Sequence, residues 1–204
     1  MIKVVIIGPE STGKSTLTSL LAQHYHTLYC PEYAREYLLT HGKEYTYDDL
    51  LNIAKEQVNA EDACMQQFEH PTLSLLKAGD ETGANQPPTT NHQLLFIDTD
   101  MHVMKVWCEF VFGKCHPFIL EQLAERKYDL YLLCNTDLPW VKDELREYPD
   151  LETREKLYTI YKDLLMKQPV PWVEISGDYV QRLQIAVEAV DRLRGSIHPT
   201  QGVI

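Results

Sequence analysis

Long apolar runs are missing from this 204-residue sequence. No stretch approaches the ~20 apolar residues that a membrane-spanning helix needs. The apolar stretch at the N-terminus stops at Gly8, which is too short for the core of a secretion signal. Cysteine is scarce as well: the count is five, an odd number, and no CxxC pair occurs, so neither a disulfide framework nor a zinc knuckle is indicated. Together these absences predict a cytoplasmic protein that does not enter a membrane.

Basic residues are few relative to acidic ones. The sequence has 19 Lys and Arg against 30 Asp and Glu, which gives a formal net charge of −11. Because such a surface repels a phosphate-rich polymer, nucleic acid is not an expected partner, and any anionic ligand needs a local positive site. The apolar fraction of 44% is typical of a globular protein, and the length suits one domain over residues 1–204.

Short apolar segments alternate with segments of helical periodicity. Strands are expected at 2–7, 27–30, 94–97, 130–134 and 170–175, and helices at 15–25, 46–69, 101–112, 117–127, 151–167 and 179–194. This alternation predicts an α/β fold with a five-stranded parallel sheet and helices on both faces. The stretch 71–92 has no regular period after Ala78 and is punctuated by Gly79, Gly83 and Pro87, so it is expected to be an inserted surface loop.

The sequence GPESTGKS at residues 8–15 matches the phosphate-loop motif GxxxxGK[ST] in full, after an apolar strand and before a helix. The glycines let successive backbone N–H groups face a phosphate, and the helix adds its positive N-terminal end. Lys14 is expected to reach the β- and γ-phosphates, and the Ser15 hydroxyl to ligate Mg²⁺. The residues predicted to bind the nucleotide here are Gly8, Glu10, Ser11, Thr12, Gly13, Lys14, Ser15 and Thr16.

Carboxylates follow the second and third predicted strands, at the edge of a parallel sheet where functional groups gather. Asp98 comes after four apolar residues, as expected of an acid that holds Mg²⁺ or its water shell. Asp100 either caps the next helix or contacts the substrate. Glu32 either takes a proton from a substrate hydroxyl or pairs with Arg35, and Asp98 is the rival for that proton.

Two polar residues interrupt the apolar face of the predicted helix at 46–69. Gln57 and Glu61 project from the middle of that face, where a carboxylate is costly unless something pairs with it. Either another protein group satisfies the pair or a polar ligand does. Beside a phosphate loop, the second interpretation makes this helix one wall of an acceptor pocket.

The segment after the fourth strand contains the basic residues Arg146 and Arg154. A closing lid could bring the guanidinium groups of Arg146 and Arg154 onto the transferring phosphate, with pairing between charges on solvated helices as the alternative. Gly177 and Asp178 follow the fifth strand and predict either a turn beside the adenine or an ordinary helix cap. The post-strand sequence CNTD lacks the lysine of a guanine-reading segment, which favours ATP over GTP.

These motifs in this order resemble the ribosylnicotinamide kinase domain of NadR-type NAD-salvage proteins. The resemblance rests on GPESTGKS, PEYAREY, FIDTD with the following GKCHPF, YDLYLLCNTDLPWVKDELR and EISGDY, and it spans nearly the whole chain. It implies a P-loop NTPase with a fold like that of nucleoside monophosphate (NMP) kinases. It further implies ATP and Mg²⁺ as cofactors, and phosphorylation of the 5′-hydroxyl of nicotinamide riboside to NMN.

The resemblance also bears on the acceptor site. The Gln57 and Glu61 pair is similar to the family's Gln-xxx-Asp pattern. The family's stacking aromatic just before the Glu is Pro31 here, so candidates to contact the nicotinamide are Tyr29, Tyr33 and Trp140. The DNA-binding and adenylyltransferase regions that such proteins often carry have no counterpart in this sequence, so neither activity is implied.

The sequence therefore predicts a kinase of a small nucleoside-like alcohol. Its expected catalytic residues are Lys14, Glu32, Asp98 and Arg146, and its expected substrate contacts are Glu32, Tyr33, Arg35, Gln57, Glu61, Asp100 and Trp140. One alternative is a deoxynucleoside or nucleoside monophosphate kinase. Another, of a different class, is a nucleotide-binding switch or scaffold whose partner is a protein or lipid.

Overall fold

The computed structural model describes residues 1–69, 94–141, 145 and 147–197. The predicted loop insertion at 71–92 and Arg146 lie outside the described residues. The strands are β1 (Ile2–Ile7), β2 (Tyr29–Cys30), β3 (Leu94–Asp98), β4 (Leu130–Cys134) and β5 (Trp172–Ile175). The helices in the described part are α1 (Lys14–Tyr25), α2 (Tyr33–His41), α3 (Tyr47–Glu69), α4 (Met101–Phe112), α5 (Pro117–Glu125), α6 (Leu151–Met166) and α7 (Tyr179–Ile197). None of these helices is long and apolar enough to cross a membrane.

The five strands form one parallel sheet in the order β2-β3-β1-β4-β5. The predicted α/β architecture is therefore confirmed. Strand β1 lies in the middle, and its side chains alternate between two hydrophobic cores. Val4 and Ile6 face the core beneath α1 and α7, whereas Val5 and Ile7 face the opposite core with α4 and α6. Each such fully buried side chain contributes on the order of 1.5–3 kcal/mol, which explains why β1 reads as an unbroken apolar run.

A third core lies beyond the β2 edge of the sheet and joins α2, α3, α4 and α5. It includes the fully buried Leu50, Ile53 and Met104. Its contacts fix α2 and α4 on either side of the space above the phosphate loop, and so position the site described below.

Helix α2 was not predicted from the sequence. Only Ala34 and Leu38 are buried on it, so its apolar stripe is too narrow to produce a clear helical period. Strand β5 begins at Trp172 rather than at 170, because Pro171 has no N–H to add to the ladder, although its carbonyl still accepts a hydrogen bond from Tyr131 N.

Candidate functional site

The phosphate loop runs from the end of β1 to the start of α1. At Gly8 the backbone has φ +143°, and a Cβ there would lie 2.7 Å from the Cys134 carbonyl oxygen, so only glycine fits. Gly13 has φ +78° and precedes α1, and among the described residues no side-chain hydrogen bond caps that helix. The first N–H groups of α1 therefore remain available for an anion, as a phosphate-binding helix terminus requires.

Lys14 folds back over this loop. Its Nζ donates to the Pro9 carbonyl oxygen at 3.1 Å, and the residue is 9% exposed. The Thr12 hydroxyl donates to the same carbonyl at 2.7 Å. The loop thus holds its own cation at the place where nucleotide phosphates are expected.

Asp98 ends β3 beside the phosphate loop and is 2% exposed. Burial is the largest cause that raises its pKa to about 7, and the charge of Glu32 raises it further, whereas Lys14 and the Ser15 hydroxyl act in the opposite direction. Its Oδ1 has no hydrogen-bond partner among the described residues. A buried, unpartnered carboxylate oxygen beside a hydroxyl is a fitting donor set for Mg²⁺, which prefers oxygen ligands and keeps several waters.

A cavity of about 240 Å³ extends from the phosphate loop to the third core. Glu32 and Arg35 line it, as do residues of α4, of α6 and of the segment before α6. Four aromatic side chains line it: Trp107, Phe110, Tyr148 and Tyr161. One end of the cavity can therefore bind phosphates and the other a flat ring.

Glu32 is close to both the phosphate-loop side and the aromatic side of the cavity, since its charge raises the pKa of Asp98 and of Tyr161. It occupies the position before α2, with φ −70° and ψ 116°, and within the described chain its side chain makes no capping hydrogen bond. Because its charge raises the pKa of Asp98, the two carboxylates are electrostatic neighbours. A carboxylate in this position can act as a general base or orient a hydroxyl group.

Gln57 and Glu61 do not face this cavity, which corrects the prediction that a ligand satisfies them. The Gln57 amide accepts from Tyr33 N at 2.8 Å and donates to the Pro31 carbonyl at 3.2 Å. It therefore fixes the backbone on both sides of Glu32.

The Glu61 carboxylate is satisfied by protein groups as well. It lies 3.3 Å from Lys3 Nζ and 3.1 Å from an Arg126 guanidinium nitrogen, and it accepts from the Tyr128 hydroxyl at 2.9 Å. A buried carboxylate with two cations and a hydroxyl donor already has its charge compensated.

Asp100 is the N-cap of α4, which corrects its predicted contact with substrate. Its Oδ1 accepts from His102 N at 2.9 Å, and its Oδ2 lies 2.8 Å from His102 Nδ1 and accepts from the Tyr131 hydroxyl at 2.9 Å. Both oxygens are therefore engaged inside the protein, and the residue is 1% exposed.

Other predicted residues also have protein partners. Arg154 donates to the Thr136 and Leu138 carbonyls, so it braces the loop after β4 instead of reaching a phosphate. Asp178 caps α7 by accepting from Val180 N and Gln181 N. Gly177 N donates to the Asp137 carboxylate. These contacts match the helix-cap alternative, and the predicted turn beside the adenine stays a prediction.

The proposed aromatic replacements do not form the cavity wall. The described residues that line the cavity do not include Tyr29, Tyr33 or Trp140. Tyr29 is 40% exposed on the edge strand, and Tyr33 packs against the third core. The aromatic side chains that do line the cavity come from α4, from α6 and from the segment before α6.

The sequence of α4 contains a pattern that could have indicated its two cavity-lining aromatic residues, Trp107 and Phe110. Val103, Val106, Trp107 and Phe110 recur at helical spacing and lie on one face. That face continues from a buried core into the cavity, and an apolar stripe in sequence does not distinguish a core from a pocket wall.

The side chain of Glu10 binds protein groups, and the predicted contact of this residue with the nucleotide stays a prediction. Its carboxylate accepts the backbone N–H groups of Glu147 and Tyr148, in the segment that closes the cavity, and not a group of the phosphate loop. The Ser11 hydroxyl oxygen accepts from Val141 N at 3.2 Å. Both residues therefore join the loop to the segment between β4 and α6.

Comparison with known proteins agrees with this geometry. The family model AAA_28, described as an AAA domain, matches residues 3–182. The chain is similar to the trifunctional NAD biosynthesis/regulator protein NadR of Salmonella typhimurium, with 26% identity over 193 residues, and of Escherichia coli, with 28% over 197 residues. In each case the match covers 94% of this chain but only 42% of the relative. The predicted resemblance to NadR-type proteins is confirmed.

Solved structures share the fold. A crystal structure of NadR protein in complex with NR matches with a TM-score of 0.71 and 22% identity, covering 95% of this chain and 50% of that one. A thymidylate kinase from Ehrlichia chaffeensis matches with a TM-score of 0.54 and 14% identity, covering 94% and 98% of the two chains. The fold is P-loop NTPase-like, and the thymidylate kinase is among the structures that share it.

Proposed function

The chain belongs to the AAA domain family AAA_28, and on that premise we propose that it is an ATP- and Mg²⁺-dependent kinase. Its proposed acceptor is the 5′-hydroxyl of nicotinamide riboside, which it converts to NMN. In this proposal residues 1–204 act as one kinase domain, and the reaction serves NAD salvage in the cytoplasm.

The observation that carries the proposal is the continuity of the cavity. A single space connects the phosphate loop, the Glu32 carboxylate and the aromatic wall of Trp107, Phe110, Tyr148 and Tyr161. A nucleoside with its ring against the aromatic wall would point its ribose towards Glu32 and the phosphates. This is the proximity that phosphoryl transfer requires, since such catalysis consists mainly of positioning and charge stabilisation.

Each polar group then has a defined task. The loop N–H groups and Lys14 bind the ATP phosphates and stabilise the charge that develops on the transferring phosphoryl group. Glu32 orients the acceptor hydroxyl and accepts its proton as the new P–O bond forms. Ser15 and Asp98 would hold Mg²⁺, which supplies charge neutralisation on the phosphate oxygens when bound.

The aromatic side chains and the Glu147 carboxylate that line the cavity support an acceptor with a positively charged pyridinium ring. Nicotinamide riboside carries a positive charge on its ring, and aromatic faces as well as carboxylates attract a cation. Glu147, Tyr148 and Trp107 all line the cavity, and the Tyr45 hydroxyl links the side chains of Glu147 and Trp107. A neutral base would gain ring stacking there but no charge attraction.

A second candidate is a nucleoside monophosphate kinase. Arg35 lines the cavity near Glu32, where a guanidinium could bind the phosphate of a monophosphate acceptor. The likeness to a thymidylate kinase fold is compatible with this alternative.

A coupled ADP-release assay with ATP, Mg²⁺ and a panel of acceptors tests the proposal. The panel contains nicotinamide riboside, its neutral dihydro form, uridine, thymidine and the corresponding monophosphates. We expect the highest kcat/KM with nicotinamide riboside. Preference for a monophosphate would establish the second candidate, and ATP binding without any acceptor-dependent turnover would favour a nucleotide-binding switch.

A further inference from the structure

A carboxylate within a phosphate-binding loop is electrostatically unfavourable, because it repels the anion that the loop binds. Glu10 is such a residue, and the structure shows where its charge is directed. Its Oε2 accepts from Glu147 N at 2.9 Å, and its Oε1 accepts from Tyr148 N. Both oxygens therefore hold consecutive N–H groups of one short segment, as charge-assisted hydrogen bonds.

The segment held in this way forms part of the cavity wall. Glu147 and Tyr148 both line the cavity that Glu32 also lines. The Glu147 side chain is fixed further by the Tyr45 hydroxyl, which donates to its Oε2 at 2.9 Å, and Tyr45 in turn accepts from Trp107 Nε1 at 2.8 Å. A chain of hydrogen bonds thus runs from the phosphate loop to the aromatic wall.

We propose that Glu10 is a positioning residue for the acceptor. Its side chain holds the segment of Glu147 and Tyr148, which forms part of the cavity wall, against the phosphate loop, and it does not contact ATP. The inference rests on the proposed function for the identity of the acceptor. In this inference two residues of the same loop have different functions: Lys14 acts on the phosphates, and Glu10 acts on the binding of the acceptor. If Glu10 instead bound ATP or Mg²⁺, its substitution would raise KM for ATP and leave KM for the acceptor unchanged.

The kinetic test compares Glu10→Ala and Glu10→Gln with the parent protein. The alanine variant loses both acceptor oxygens, and the glutamine variant keeps one. We expect KM for nicotinamide riboside to rise roughly tenfold or more in Glu10→Ala, by a smaller factor in Glu10→Gln, and KM for ATP to change by less than about twofold. The matched control is Glu56→Ala, an exposed acid on α3 away from the cavity. A rise in KM for ATP at constant acceptor KM would overturn the inference.

Amide hydrogen exchange gives a readout that does not depend on the acceptor. In Glu10→Ala the backbone amides of residues 147 and 148 lose their acceptors, so their exchange should quicken by roughly tenfold or more, while amides of β1 and β3 keep the parent rates. Unchanged exchange at residues 147 and 148 would overturn the inference even if kinetics changed. If the parent protein phosphorylates no nucleoside, the proposed function fails, and the exchange result alone still decides whether Glu10 holds this wall.

Discussion

Glu32 and Asp98 are neighbouring carboxylates with different surroundings. Asp98 is almost fully buried with an unpartnered oxygen, whereas Glu32 lines the open cavity. Environments that differ in this way assign different tasks to two acids of similar intrinsic pKa. At this scale the chemistry depends on burial more than on residue type.

The proposed tasks are that Asp98 holds Mg²⁺ and that Glu32 accepts the proton of the acceptor hydroxyl. Two isosteric substitutions test this assignment. Asp98→Asn should raise the Mg²⁺ concentration needed for half-maximal rate by about tenfold or more, because a metal-binding charge is lost. Glu32→Gln should lower kcat roughly 100-fold with little change in KM for ATP, since general-base contributions are of that order. Steady-state kinetics across a Mg²⁺ titration measures both. Equal shifts in Mg²⁺ dependence for the two variants would contradict the assignment.

Glu61 is a structural ion-pair residue, and its substitution should reveal this. Glu61→Gln leaves Lys3 and Arg126 without their shared buried anion, so the free energy of unfolding should fall by about 1–3 kcal/mol. Acceptor KM should stay at the parent value because the side chain is remote from the cavity. Thermal or denaturant unfolding, run beside kinetics, provides the measurement. A stable variant with a raised acceptor KM would instead indicate that Glu61 contacts the substrate.

At the scale of elements, α4 connects the sheet edge to the aromatic wall. It begins at the Asp100 cap, directly after β3, and carries Trp107 and Phe110. The Asp100 carboxylate also accepts from the Tyr131 hydroxyl of β4, so the start of the helix is tied to the sheet. The direction of α4, and with it the aromatic wall, depends on this junction.

Two substitutions at Asp100 separate capping from the tie to the sheet. Asp100→Asn keeps a good N-cap, whereas Asp100→Ala removes the cap and the carboxylate acceptor of the Tyr131 hydroxyl, which then keeps only its longer contact of 3.2 Å with His102 Nδ1. We expect the alanine variant to lose about 2–4 kcal/mol of stability, because it loses both the cap and a buried hydrogen bond to a charged group, and the asparagine variant to lose less. Urea unfolding curves give both values. Equal losses would show that the carboxylate charge, and not the cap, is what matters.

Some parts of the structure were predictable from the sequence, and others were not. The strands, the phosphate loop and Asp98 were predictable because each depends on a local apolar run or on a fixed spacing. Helix α2 was missed because only two of its side chains are buried. The partners of Glu61 were missed because Lys3, Arg126 and Tyr128 come from distant parts of the sequence, and only the folded topology brings them together.

For the whole molecule, Arg182 of α7 joins regions that lie far apart in sequence. The side chain is 2% exposed, and its guanidinium donates to the carbonyl oxygens of Thr12 and Asn135 at 3.0 Å each and to the Asp137 carboxylate. Its Nε donates to the Gly177 carbonyl at 2.8 Å. One cation therefore anchors the phosphate loop and the loops after β4 and β5 at the same edge of the sheet. No short motif in the sequence predicts such a residue.

Replacing Arg182 should therefore affect ATP binding without removing any contact to ATP. In Arg182→Met the apolar stem is kept, but three carbonyls and the Asp137 carboxylate lose their donor, which should cost about 3–5 kcal/mol of unfolding free energy. The phosphate loop loses its support at Thr12, so KM for ATP should rise by roughly tenfold, while the relative preference among acceptors stays that of the parent. Arg192→Met, on the exposed face of the same helix, is the control for a lost positive charge. Calorimetry and ATP titration together decide the point: a destabilised variant with parental KM for ATP would show that Arg182 holds the sheet edge together without shaping the phosphate loop.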